Sequence, residues 1–168
     1  MTRRLTDHPV LTFDCYGTLI DWEAGIWEAF QPLLAENPPT NLTRDTLIAA
    51  FNNLEAEQQA AAPTMNYPTV LECVHRALAE NLALVTSPGL DYAFGASVPS
   101  WPAFPDSPDA LRFLSGHFRL VVLSNVDRAG FAASNTLLGV EFDAIYTAED
   151  IGSYKPDPSN FEYLIKHV

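Results

Sequence analysis

Residues 9–21 read PVLTFDCYGTLID. A short apolar run with β-branched residues leads into one acid, Asp14, and a Gly17–Thr18 pair follows. Such a run, bounded by turn residues, reads as a buried strand. Two questions follow. Why does a buried strand end on a carboxylate, and why does Tyr16, not a second acid, stand two places later?

Downstream of this strand the periodicity changes. DWEAGIWEAFQPLLAE (21–36) spaces Ile26, Phe30, Leu33 and Leu34 as a helix does. NPPTNLT is a loop, RDTLIAAFNNLEAEQQAAA (44–62) is a second helix with Thr43 as N-cap, and YPTVLECVHRALAENLAL (67–84) is a third. Residues 21–100 are therefore mostly helical. Four prolines, Pro99, Pro102, Pro105 and Pro108, then mark a hinge-like stretch. Asp106 or Ser107 can cap a helix that Gly116 ends. FRLVVLSN (118–125) is a continuous apolar strand of the kind found in parallel sheets covered on both faces. RAGFAASNTLLG is a helix closed by Gly139, FDAIYTAED (142–150) is a short strand, and a last helix starts at Asp157–Pro158. Strand, helical insert, helix, strand, helix, strand, helix is an α/β rhythm. The expected architecture is a Rossmann-like parallel-sheet core, residues 1–20 and 101–168, with an inserted α-helical cap over residues 21–100.

Composition narrows the function. Acids outnumber bases by 21 to 9, a formal net charge of −12. Nucleic acid and anionic membranes call for a basic surface, so neither is an expected partner. No apolar run approaches the roughly 20 residues that span a bilayer, and MTRRLTDHPV lacks the apolar region of a leader. Cys15 and Cys73 give no disulfide framework, which suits a cytoplasmic setting. His8, His75, His117 and His167 have no metal-like spacing and read as structural or surface residues. The expected partner is a small molecule.

In sheets of this kind, ligands bind at the carboxyl ends of the strands. The first end carries Asp14 with Gly17 and Thr18, the second Ser124 with Asn125, and the loop after the third carries Lys155 before Pro156 and Asp157. Each has a plain alternative: a turn acid, a serine turn and a surface lysine. Together they form a chemistry. A rigidly held, partly desolvated carboxylate can act as a nucleophile, and a nearby lysine favours its charged form. Ser124 and Asn125, with the N–H groups past the strand end, can bind a leaving group or an oxyanion. Trp22 and Trp27 read as helical-region packing, with Trp22 kept as a candidate substrate contact.

In order and spacing, FDCYGTLID, VVLSN and YKPDP resemble the motifs of the haloacid dehalogenase superfamily, and the helical insert lies where that superfamily carries its cap. The resemblance implies Asp14 as nucleophile, with Thr18, Ser124, Asn125 and Lys155 positioning and polarising it. Tyr16 stands where the superfamily's phosphatases carry a second, proton-donating acid. That form resembles the 2-haloacid dehalogenase branch, which works without a metal, so the expected cofactor is none and Tyr16, Asn125 and Trp22 become the expected substrate contacts. The alternative is a phosphatase using Mg²⁺ through Asp14. Two residues depart from the branch: AAFNNLEAEQQ (49–59) lacks its substrate-holding arginine, and Phe161 replaces a tyrosine. The superfamily's fourth motif, an acidic strand end beyond the lysine, is also absent. The expectation is therefore a truncated chain, inactive in a third reading, in which the strand leading to Asp14 has an open edge covered by further chain or by a homodimer.

Overall fold

The computed structural model describes residues 7–168, so the leader reading of residues 1–6 lies outside it. The chain divides into two compact units. One holds the described residues up to Asp21 together with Pro102–Val168, and the other is Trp22–Trp101. Each join falls one residue later than the prolines and the helical periodicity suggest. Asp21 N–H donates to the Pro102 carbonyl at 2.8 Å, next to an antiparallel bridge between Ile20 and Ala103. Those contacts keep Asp21 with the α/β unit. Trp101 is fully buried in the helical unit, where its indole N–H donates to Ser97 Oγ at 3.1 Å.

The α/β unit is Rossmann-like. Strands β1 (Val10–Phe13), β2 (Arg119–Ser124) and β3 (Ala144–Thr147) form one parallel sheet in the order β1-β2-β3. The register sets Phe13 opposite Val122 and Ser124 opposite Thr147, so the strand ends lie at one rim of the sheet. From Leu120 to Ser124 every residue of β2 is buried, as a central parallel strand requires. Among the described residues β1 is an edge strand.

Parallel neighbours need crossover connections. Helix α5 (Ser107–Ser115) precedes β2, α6 (Arg128–Leu138) links β2 to β3, and α7 (Ala148–Ile151) and α8 (Pro158–His167) follow β3. The Asp127 carboxylate caps α6 by accepting from Gly130 N–H at 2.9 Å. Gly139 ends that helix at φ 65°, a left-handed conformation that costs glycine little. Residues 148–150, read above as the tail of a strand, are the first residues of α7. Thr147 and Asp150 form a reciprocal capping box there, and these local bonds end the strand.

The helical unit comprises α1 (Trp22–Ala35), α2 (Arg44–Ala61), α3 (Tyr67–Asn81) and α4 (Pro88–Gly95), then a 3-10 turn over Val98–Ser100. Thr43 caps α2 as expected. Phe30, Phe51 and Phe94 centre the core, with Phe94 edge-on to Phe30 at 6.2 Å. Gly25 is a steric requirement: a β-carbon there would lie 2.2 Å from Trp101 Cγ.

His75 is buried and structural. Its Nδ1 lies 2.8 Å from Asp91 Oδ1, which also accepts from Thr86 Oγ1 at 2.8 Å, while Arg76 Nε donates to Oδ2 at 3.1 Å. Burial pushes the Asp91 carboxyl up, but the bonds from His75, Thr86 and Arg76 outweigh it and leave the carboxyl below its ordinary range. Burial holds the His75 imidazole below its ordinary range, although Asp91 pulls the other way. No helix among the described residues is long and apolar enough to cross a membrane.

Candidate active site

Asp14 is the first residue past β1. The segment after it folds back tightly: the Cys15 carbonyl accepts from the N–H groups of Thr18, Leu19 and Ile20 at 3.2, 2.7 and 3.0 Å. Gly17 makes the reversal at φ 93°, where a side chain would be strained. The turn returns Thr18 to the carboxylate, and its Oγ1 donates to Asp14 Oδ2 at 3.2 Å.

The other carboxylate oxygen faces Lys155, whose Nζ donates to Asp14 Oδ1 at 2.6 Å. The same ammonium donates to the Leu123 carbonyl near the end of β2 at 2.8 Å. The Asp14 side chain is 43% exposed and that of Lys155 18%. A carboxylate is thus fixed through both oxygens and still open to a small molecule. Charge-assisted bonds of this kind are short and roughly twice as strong as neutral ones.

Asn125 joins the group through Lys155. Its Oδ1 accepts from the Lys155 N–H at 2.6 Å, and its Nδ2 donates to the Lys155 carbonyl at 2.9 Å. Ser124 is buried at the end of β2, and its Oγ has no hydrogen-bond partner among the described residues. The structure therefore assembles Asp14, Thr18, Asn125 and Lys155 at one rim and leaves Ser124 beside them without a bond to the carboxylate.

Tyr16 and Trp22 each have aromatic or hydrogen-bond partners of their own. The Tyr16 hydroxyl shares a 2.9 Å hydrogen bond with Ser134, a buried residue of α6. Burial pushes the phenol far above its ordinary range, although the Ser134 bond works against this. Trp22 is half-buried at the start of α1 in the helical unit, its ring centroid 5.7 Å from that of Phe51. The Cys15 thiol is pushed up to about 12, first by burial and then by the Asp14 charge, so it is not a reactive thiolate.

In the helical stretch without the arginine, Glu55 accepts from the Tyr67 hydroxyl at 2.7 Å. Burial raises the Glu55 carboxyl against that bond. The unit's Arg76 pairs with Asp91, and Arg44 lies 3.8 Å from Glu23.

A divalent cation at Asp14 would need further oxygen donors. No group of three or more His, Cys, Asp or Glu side chains suited to a metal ion occurs among the described residues. Two places on, the hydroxyl of Tyr16 is turned to Ser134.

Sequence reasoning missed two partners in this site. The Leu123 carbonyl is a main-chain group with no residue-type signal. Ser134 lies 118 residues from Tyr16 inside an ordinary helical pattern.

No curated protein sequence matches the chain. Solved structures of similar fold include an L-2-haloacid dehalogenase at 23% identity, spanning 95% of this chain and 70% of that one, with a TM-score of 0.76. Another is the L-2-haloacid dehalogenase of Xanthobacter autotrophicus, at 16% identity over 95% and 64% of the two chains, with a TM-score of 0.78. A third is a haloacid dehalogenase-type hydrolase of Bacillus subtilis bound to magnesium, at 20% identity over 96% and 74%, with a TM-score of 0.76. At such identities the likeness is one of fold. The sequence profile of the haloacid dehalogenase-like hydrolases matches residues 8–168, nearly the whole chain and every residue of the Asp14 site. With that match joined to the fold, the chain belongs to the haloacid dehalogenase-like hydrolases.

Proposed function

We propose that the chain cleaves a carbon–halogen bond in a small organic acid, with Asp14 as nucleophile. A carboxylate oxygen of Asp14 attacks the carbon bearing halogen, the C–X bond breaks and halide leaves with the bonding pair. The product is an ester between Asp14 and the substrate carbon. Water then adds to the ester carbonyl, and collapse returns the Asp14 carboxylate and releases the hydroxy acid. One proton of that water ends on the product hydroxyl, and the other passes to solvent as the Asp14 carboxylate is restored.

The observation that carries this reading is the Asp14 carboxylate itself, held by Lys155 at 2.6 Å and Thr18 at 3.2 Å while its side chain stays 43% exposed. Fixing a nucleophile in place lowers the entropic part of its barrier. Halide leaves without a proton, so the chemistry needs no acid at position 16, where the tyrosine hydroxyl is engaged with Ser134. The reading uses no metal. A reducing cytoplasm suits the two unpaired cysteines.

A second reading is a phosphatase in which Asp14 attacks phosphorus with Mg²⁺, an ion that one hydrolase of like fold binds. A panel of 2-halo acids and phosphate esters, with and without chelator, separates the two. We expect halide release that chelator leaves unchanged. Phosphate release that chelator abolishes and Mg²⁺ restores would establish the second reading, and turnover of neither class would reject both.

A further inference from the structure

We propose that Asn160 is a positioning residue: its buried amide braces the loop that carries Lys155 and so holds the ammonium on Asp14. This deepens the reading of Asp14 as nucleophile and rests on it only for the kinetic arm of its test.

Asn160 lies in the first turn of α8 and is almost fully buried. Its amide nitrogen donates to Ser153 Oγ at 2.8 Å and to the Asp157 carbonyl at 3.3 Å. Ser153 and Asp157 stand on either side of Lys155, in the loop between α7 and α8. One amide therefore joins both flanks of that loop. The Asp157 carbonyl can only accept, which fixes the amide hydrogens toward the loop. The amide oxygen is buried and has no hydrogen-bond partner among the described residues. Leaving an acceptor buried and unsatisfied is destabilising, so the amide is a poor choice for packing alone. Neither loop acceptor depends on it for satisfaction. Ser153 Oγ also shares a 2.8 Å bond with Ser159 Oγ, and the Asp157 carbonyl also accepts from the Asn160 main-chain N–H at 3.1 Å. Losing the amide would orphan neither group and would release its link between the flanks. From this loop the Lys155 ammonium donates to Asp14 Oδ1 at 2.6 Å and to the Leu123 carbonyl at 2.8 Å. A lysine stem is long and flexible, so aiming its charge requires an anchored origin.

The chain has two lysines, Lys155 and the exposed Lys166, which allows a direct test. Asn160→Leu keeps the approximate shape of the side chain and removes both amide bonds. The folded full chain is acylated briefly with acetic anhydride, and the two lysines are quantified by peptide mass mapping, with Lys166 as internal reference. Asn160→Leu should raise the Lys155 to Lys166 labelling ratio about fivefold, the factor that losing one ordinary net hydrogen bond represents. Tm should stay level or rise, because a buried unsatisfied oxygen gives way to an apolar group. A purely structural amide would give the reverse, a lowered Tm with the ratio unchanged, and an unchanged ratio at any Tm overturns the brace. If Asn160→Leu does not fold, Ser153→Ala, which removes the acceptor on one flank, should move the ratio the same way, and an unchanged ratio again overturns it. In turnover, Asn160→Leu should lower kcat about fivefold and leave KM within about twofold, because no ligand contact is lost. An intact kcat beside a raised ratio would count against the role given to Lys155 and Asp14 and leave the brace standing, so the two failures are distinguishable.

Discussion

Replacing Gly25 by alanine should destabilise the protein, against the usual sign for a helical glycine. In a helix interior, alanine is normally favoured over glycine by about 1 kcal/mol. At Gly25 the new β-carbon would sit 2.2 Å from Trp101 Cγ, 2.3 Å from Cδ1 and 2.8 Å from Cβ. Ordinary contact begins near 3.4 Å, so the ring must retreat by about 1.2 Å. Trp101 is fully buried, its N–H is bonded to Ser97, and its ring lies edge-on to Tyr67 at 6.4 Å. Overpacking of this kind costs about 1–3 kcal/mol, and the immobile ring puts Gly25 at the upper end. After the propensity gain, the net loss is about 1–2 kcal/mol, which lowers Tm by about 2–8 °C for a chain of this size. Gly89→Ala supplies the contrast. Its β-carbon would meet only Ser87 Oγ, at 3.9 Å, so it should be neutral or stabilising by up to about 1 kcal/mol. Urea unfolding followed by tryptophan fluorescence and far-UV circular dichroism measures both, with coincident transitions required before a single free energy is extracted. A Gly25→Ala protein as stable as the wild type would refute the packing of α1 against Trp101.

His75 is held below its ordinary range by burial, so the unfolded chain takes up a proton there before the folded chain does. Stability should therefore be level above about pH 6.5 and fall as pH drops below it, and His75→Gln should flatten that fall in urea midpoints measured from pH 8 to 5. Asp91, held below its ordinary range, adds a separate loss below about pH 4 as it becomes protonated. Lys155→Met removes the ammonium that bonds Asp14 and Leu123, and kcat on any substrate the panel reveals should drop about ten- to a hundredfold. Steady-state rates equal to wild type would show that the lysine does not act on Asp14.

The parts of this molecule that were legible in its sequence are those fixed by local chemistry. β2 announces itself as a continuous apolar run because both its faces are covered. The starts of α2 and α8 carry Thr43 and Asp157 as caps, and Gly139 marks the end of α6. Asp14 stood out because a carboxylate at the end of an apolar strand has few other reasons to be there, and Lys155 because it sits before Pro156 and Asp157 in the loop that leads into α8. The missed features depend on partners far along the chain or on weak local signals. α4 is only 8 residues long; Ser87–Pro88 was a readable start, but Asp91 is held by His75 and Arg76 of another helix. The Thr147–Asp150 capping box was readable in the sequence, and it ends β3 where the β-branched run alone suggests a longer strand. The engagement of Tyr16 with Ser134 and of Asn125 with the Lys155 main chain follows from how the strands and helices pack, which residue types alone do not encode.

Single turnover in heavy-oxygen water tests the central claim most directly. Enzyme in excess over a 2-halo acid is digested after one turnover, and the peptide bearing Asp14 is weighed. If water attacks an ester on Asp14, the heavy oxygen appears in the Asp14 carboxylate and the hydroxy acid carries an oxygen from the enzyme. Heavy oxygen in the product alone, with Asp14 unlabelled, would mean that water attacks the substrate directly and that Asp14 is not the nucleophile.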